Sequence, residues 1–250
     1  MPSTIKITGE DMKKLSAGQH KKALRRYTFI GLVIASTTTQ ALELDYQHQY
    51  SEVEREHKDK VMLTQALDNG LAFSFEAVMA TAPDGDGQPG KAFSRLTKDE
   101  LKAKVKYSHK LGAHWKVKPK FTYADGKDKK SYKPALKVSY AITDRFSITP
   151  GYYHKLTRYD EEGKADKHDN AVELGAKYKF GLLSVGVGRK QIYSNQIVFD
   201  GTRKNYSNKV LFEYKLTKRL TPYLEVADVY VDKNTDQRQA RYRVGFSYEF

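Results

Sequence analysis

The 250-residue sequence has no cysteine, which excludes a disulfide framework and thiolate metal centres. Hydrophobic residues are only 39% and mean hydropathy is -0.70, so the continuous apolar sequence of helical bundles and doubly wound α/β domains is missing. From Leu42 onward no segment shows the i, i+3, i+4, i+7 apolar spacing of an amphipathic helix. Tryptophan is nearly absent, with one residue against 18 tyrosines. Acidic charge is in deficit too. The 44 Lys/Arg exceed the 30 Asp/Glu by +14, which calls for an anionic partner: nucleic acid, acidic lipid or an acidic small molecule.

What is present begins at the N-terminus. Lys21, Lys22, Arg25 and Arg26 precede an apolar run from Phe29 to Ala35, followed by small and polar residues ending in Thr39, Gln40 and Ala41. This is the layout of a secretory signal peptide, cleaved after Ala41. The apolar run is too short for a transmembrane helix, which needs about 20 residues. It also lacks the polar face of a basic amphipathic helix, the cytosolic alternative. Met12-Lys13-Lys14 is the better start of such a peptide, so residues 1–11 read as a misassigned start. Residues 1–41 hold seven Lys/Arg and two acids; without them 37 basic and 28 acidic residues remain, and the mature chain 42–250 still carries +9.

Beyond Leu42, segments of roughly ten residues alternate apolar and polar side chains, the period of a β-strand. In ELKAKVKYSHK, Leu101, Ala103, Val105 and Tyr107 form one file and Lys102, Lys104, Lys106 and Lys110 the other. Trp115, Val117, Phe121 and Tyr123 likewise alternate with Lys116, Lys118 and Lys120. Twelve such segments are countable, and Asp68-Asn69-Gly70 between two of them is a hairpin signal. Short connections (68–70, 111–114, 141–145, 181–182, 217–221) interleave with longer polar ones (81–99, 125–131, 159–169, 192–206, 232–237). Short turns on one side and long loops on the other predict an all-β fold: an up-and-down antiparallel transmembrane barrel of the outer-membrane type. An even strand number puts both termini on the periplasmic side, and the tyrosines supply the interfacial aromatic girdles. RYRVGFSYEF closes the chain with Tyr242, Phe246, Tyr248 and Phe250 in register, the terminal pattern that outer-membrane barrels present to their insertion machinery.

LELDYQHQYSE, DNGLAFSFEA, LTPYLEVADV and RYRVGFSYEF together resemble the oligogalacturonate-specific porin family, whose relatives include the N-acetylneuraminate channel. The likeness spans essentially the whole mature chain. It implies a narrow monomeric barrel of twelve strands that passes acidic oligosaccharides along a basic pore wall.

With the apolar file toward lipid, the other file faces the lumen. The expected basic lining is Lys102, Lys104, Lys106, Lys116, Lys118, Lys120, Lys133, Lys137, Lys177, Lys179, Arg241 and Arg243. A charge facing lipid at the bilayer midplane costs roughly 2–4 kcal/mol in such barrels, so these lysines cannot face outward. A solvated charged face is the ordinary reading of a lysine file; inside a barrel, that face is the pore wall. Arg241 and Arg243 offer bidentate forks for carboxylates, whereas the lysines act as mobile point charges. Tyr153 and Tyr223, also on inward files, are candidates for sugar contact, with girdle or packing as the plainer role. Glu43, Asp45, Glu76, Glu173, Glu213 and Glu225 share the inward parity and are expected to pair with lysines.

Chemistry of other kinds finds little support. His109, His114 and His154 sit in neither a nucleophile elbow nor a paired-histidine metal spacing, so neither an enzyme nor a metal or other cofactor is expected. Asp84-Gly85-Asp86-Gly87 and the run from Asp232 to Asp236 open like calcium loops but have Arg95 and Arg243 at the twelfth position, where glutamate is required. Gly186 and Gly188 complete no phosphate-binding loop and, facing inward, leave lumen space. The leading expectation is a passive, anion-selective outer-membrane channel for acidic oligosaccharides. A barrel without solute specificity, structural or adhesive, and a basic β protein that binds nucleic acid are the alternatives.

Overall fold

The computed structural model describes residues 42–83 and 88–250. Residues 1–41, where the signal peptide is expected, and residues 84–87, the first calcium-loop-like sequence, lie outside the described residues. Among the described residues everything regular is β-structure, in thirteen antiparallel segments: β1 (Leu42–Ser51), β2 (Glu56–Ala66), β3 (Leu71–Thr81), β4 (Leu96–Tyr107), β5 (His109–Leu111), β6 (Trp115–Gly126), β7 (Lys129–Ala141), β8 (Phe146–Tyr159), β9 (Lys167–Phe180), β10 (Leu183–Ser194), β11 (Lys204–Tyr214), β12 (Leu220–Tyr230) and β13 (Arg238–Glu249). Short β5 continues β4 past Ser108 and pairs only with β6, so the wall counts twelve strands. Each strand pairs with its chain neighbours, β4 pairs with β6, and β1 pairs with β13 from Glu43↔Glu249 to Ser51↔Arg241. The sheet therefore closes on itself and leaves no edge strand to aggregate. The Phe250 N–H completes the seam by donating to the Leu42 carbonyl at 2.9 Å.

The molecule is inside out relative to a water-soluble fold. Among the described residues, the buried hydrophobics are four alanines and Val198, while Asp45, Gln47, Glu76, Thr122, Asp169, Glu225 and Gln239 are buried. Phe73, Val105, Phe121, Leu174, Val187 and Val244 are exposed. Such an outer surface is at rest only against hydrocarbon. Beside the short turns, an aromatic row marks one interface: Trp115 against Tyr140 (ring centres 4.5 Å apart), Tyr178 against Phe180 (4.4 Å) and Tyr248 against Phe250 (5.0 Å). Tyr123 and Tyr132, 5.5 Å apart, belong to the opposite end.

The Asp68-Asn69-Gly70 turn forms as expected. Gly70 adopts φ +89° and donates to the Leu67 carbonyl, while Asn69 Oδ1 accepts from the Leu71 N–H at 3.0 Å. The expected long connection 125–131 does not exist. Strands β6 and β7 run on to Gly126 and Lys129, with Asp125↔Lys130 paired, so only residues 127 and 128 turn. Beyond the bilayer both strand faces meet water; alternation fades there although the hydrogen-bond ladder continues. The segment 232–236 is a turn in which Asp232 Oδ1 accepts from the Asn234 N–H at 2.8 Å.

Candidate solute pathway in the barrel lumen

Parity and register place every expected cation on one face of the wall, the face that also encloses two adjoining cavities of about 320 and 400 Å³. Gln49, Lys58 and Arg241 line both cavities. Arg243 and Lys102 line the larger, Lys190 the smaller. What parity leaves open is which cations are already neutralised.

Carboxylates neutralise six of the twelve predicted residues in compact groups: Lys102, Lys104, Lys137, Lys177, Arg241 and Arg243. Glu76, only 4% exposed, accepts from Lys102 at 2.9 Å and from Lys104 at 2.5 Å, and Lys102 also reaches Glu100 at 2.8 Å. Glu225 holds Lys209 at 2.8 Å, Arg243 at 2.8 Å and Arg241 at 3.4 Å. The two arginines expected to present free forks therefore share one internal carboxylate. Arg243 also donates to Gln49 at 2.9 Å.

Two further pairs span a whole strand. Lys137 reaches Glu173 at 2.6 Å across Gly151, which stands opposite both residues. Lys177 reaches Glu213 across β10, where Gly186 is its register partner. An inward glycine leaves the gap through which side chains two strands apart can meet. Gly245 serves the same purpose on β13: Tyr223 lies over it, and the Tyr223 hydroxyl donates to Asp45 at 3.0 Å. Asp45 also forms an ion pair with Lys60 at 2.8 Å. Tyr223 is thus fastened to the wall, while Tyr153 lies beneath Lys133, whose ammonium is 4.8 Å from the ring centre.

The remaining cations form one set. Lys106, Lys116, Lys118, Lys120 and Lys179, with Lys155 and Lys190, meet no carboxylate at ion-pair distance among the described residues. Lys118 has Lys116, Lys106, Lys137 and Lys177 as its electrostatic neighbours. Lys133 interacts with Lys120, Lys155 and Lys190, and Lys190 with Arg241 and Arg243, while Glu173 acts on both lysines from beyond ion-pair distance. A staircase of cations thus climbs from Lys116, beside one turn, through Lys118, Lys120 and Lys133 to Lys155 and Lys190. Lys58, Lys60, Lys155 and Lys190 were not among the expected residues. Parity with Tyr153 and with Gly188 would have found the last two, had the strands been drawn long enough.

The long connection after β3 lays one of its described residues against the outer face. The Phe93 ring packs 4.6 Å from the ring of His48 on the outer face. There the Tyr46 hydroxyl donates to Asp59 at 2.7 Å, and His48 Nδ1 lies 2.9 Å from the same carboxylate.

A family model described as oligogalacturonate-specific porin protein (KdgM) matches residues 35–250. The oligogalacturonate-specific porin KdgM of Dickeya dadantii is 26% identical over 225 residues, covering 87% of this chain and 95% of that protein. Among solved structures, a KdgM porin, determined also in complex with disordered oligogalacturonate, superposes with a TM-score of 0.62 at 22% identity, covering 83% of this chain and 99% of its own. The NanC porin gives 0.69 at 16% identity, covering 83% and 100%.

Proposed function

The chain belongs to the oligogalacturonate-specific porin family and forms an outer-membrane channel, and from that premise we propose that it passes acidic oligosaccharides selectively through its cationic lumen. The observation that carries this reading is the group of lysines with no carboxylate at ion-pair distance among the described residues: Lys106, Lys116, Lys118, Lys120, Lys133, Lys155 and Lys190. In a closed ion-pair network every cation would be spoken for, and the wall would be polar without preference. Here the pairs on Glu76, Glu173, Glu213 and Glu225 stiffen part of the wall, while the free lysines set its sign.

Successive lysines on one strand stand about 6.6 Å apart, so a polyanion leaving one ammonium is already within reach of the next. Each ammonium replaces some hydration of a sugar carboxylate, and no single one holds it, the condition for both entry and exit. Arg241 and Arg243 would engage a solute carboxylate only in competition with Glu225, giving a stronger but still exchangeable station near the two cavities. Tyr153 offers a ring beside Lys133 for a sugar face. A single barrel is sufficient for this function, and the strand ending at Phe250 addresses the insertion machinery.

Liposome swelling tests the reading. Proteoliposomes should admit galacturonate oligomers faster than neutral oligomers of matched size. Equal rates would refute a cationic pathway.

A further inference from the structure

The outer face carries a notch in its apolar band. On β6 the outward file Trp115, Val117, Pro119, Phe121 and Tyr123 is apolar or aromatic along its length. On β10, β11 and β12 the corresponding files break off early. Val187, Val210 and Val226 are followed, one row nearer the long loops, by Arg189, Asn208 and Asp228, which are paired side by side across the strands. At roughly 2.5 Å of height per residue in a tilted strand, Arg189 stands about 15 Å above Leu183 in a band about 25 Å tall, within its extracellular half.

Directly below this polar row lies a trough of about 700 Å³, floored by Ala176, Val187, Val210 and Val226 and walled by Ile148 and Leu174. The charges at its upper end are not equivalent. Asp228 is committed: it accepts from Arg238 Nε at 2.7 Å and from Asn208 Nδ2 at 3.3 Å. Arg238 packs on the Tyr206 ring, 3.9 Å from its centre. Arg189 lies over the same ring at 5.0 Å, is exposed, and meets no carboxylate among the described residues. An unpaired guanidinium facing hydrocarbon is costly, and its planar fork matches a phosphate.

We propose that this face is a binding site for a phosphate-bearing lipid of the extracellular leaflet, of the lipid A class. One acyl chain occupies the aliphatic trough, and a phosphate is held by Arg189 with help from Asn208. The height of Arg189 selects the extracellular leaflet, and the phosphorylated, multi-chain glycolipid of that leaflet supplies both the anion and the chain. The site is independent of the lumen and of whichever solute passes through it.

Native mass spectrometry of the full chain in detergent tests it, with bisphosphoryl lipid A, dephosphorylated lipid A and phosphatidylglycerol as probes. Bisphosphoryl lipid A should be retained by the unaltered protein. Binding should fall roughly tenfold on removing either the phosphates or, in Arg189→Gln, the guanidinium, as expected for a lost charge-assisted bond. Ala176→Trp, which fills the trough, should weaken it as well, while conductance and heat-modifiable migration of both variants stay unchanged. Equal binding by Arg189→Gln or by Ala176→Trp overturns the proposal. So does equal binding of dephosphorylated lipid A to the unaltered protein, a comparison that needs no variant. Phosphatidylglycerol held as tightly as lipid A overturns the assignment of the lipid.

Discussion

If the lumen is anion-selective as proposed, replacing Lys106, Lys116, Lys118 and Lys120 with glutamine should abolish most of that preference. These residues lie on neighbouring strands β4 and β6, with Lys106↔Lys120 directly opposite. A monovalent ion at the middle of the group is about 7 Å from each, which in water corresponds to about 0.6 kcal/mol per lysine, or about 2.4 kcal/mol for four. At 0.1 M salt, with a Debye length of about 10 Å, screening reduces this to about 1.2 kcal/mol. An anion gains that amount and a cation loses it, so the ratio of their local concentrations changes by about 50-fold. At 1 M salt, where the Debye length is about 3 Å, the same arithmetic leaves about twofold. Reversal potentials across planar bilayers, measured under a KCl gradient at both salt levels, read this directly. The quadruple variant should move the reversal potential toward the cation side at low salt and barely change it at high salt. An unchanged low-salt potential, or a shift that ignores ionic strength, would show that the free lysines do not set selectivity.

Glu225→Gln perturbs the same field from the other direction. It leaves Lys209, Arg241 and Arg243 without their shared carboxylate, so anion preference should rise, while stability falls by roughly 1–3 kcal/mol, a loss limited by the half-exposed Lys209; reversal potential and heat-modifiable unfolding measure the two effects. Gly245→Ala should destabilise the barrel by about 1–3 kcal/mol, because its Cβ would come within 2.6 Å of the Tyr223 hydroxyl and closer still to the Tyr46 carbonyl oxygen; urea unfolding in detergent reads it. Tyr46→Phe removes a donor from Asp59, a carboxylate 2% exposed on the outer face, and should cost about 1–3 kcal/mol in the same assay. Deleting Phe250 should lower the amount of folded protein in the outer membrane yet leave refolding in detergent intact, because the residue is 62% exposed.

The alternation of Leu101, Ala103 and Val105 with Lys102, Lys104 and Lys106 was enough to assign both faces of β4, because a strand's side chains can point only two ways. The same rule gave the inward parity of Lys116 to Lys120 and of the carboxylates. It failed at the extracellular strand ends. Lys58, Lys60 and the turn at residues 127 and 128 were missed because both faces meet water there, and hydropathy carries no period. The notch at Arg189, Asn208 and Asp228 escaped notice for another reason: each is a single polar residue in its own strand, and they become a row only across three strands.

By itself, then, the sequence determined an outer-membrane barrel and which side chains of each strand share a face, because period and parity are properties of one strand at a time. Which of the cations remain free was decided only by the tertiary structure. Neutralisation depends on register between strands, as where Glu76 stands opposite Lys102, and on gaps two strands wide, as where Gly151 lets Lys137 reach Glu173. Those relations are fixed by turn lengths and barrel closure, which bring together residues that no local pattern connects.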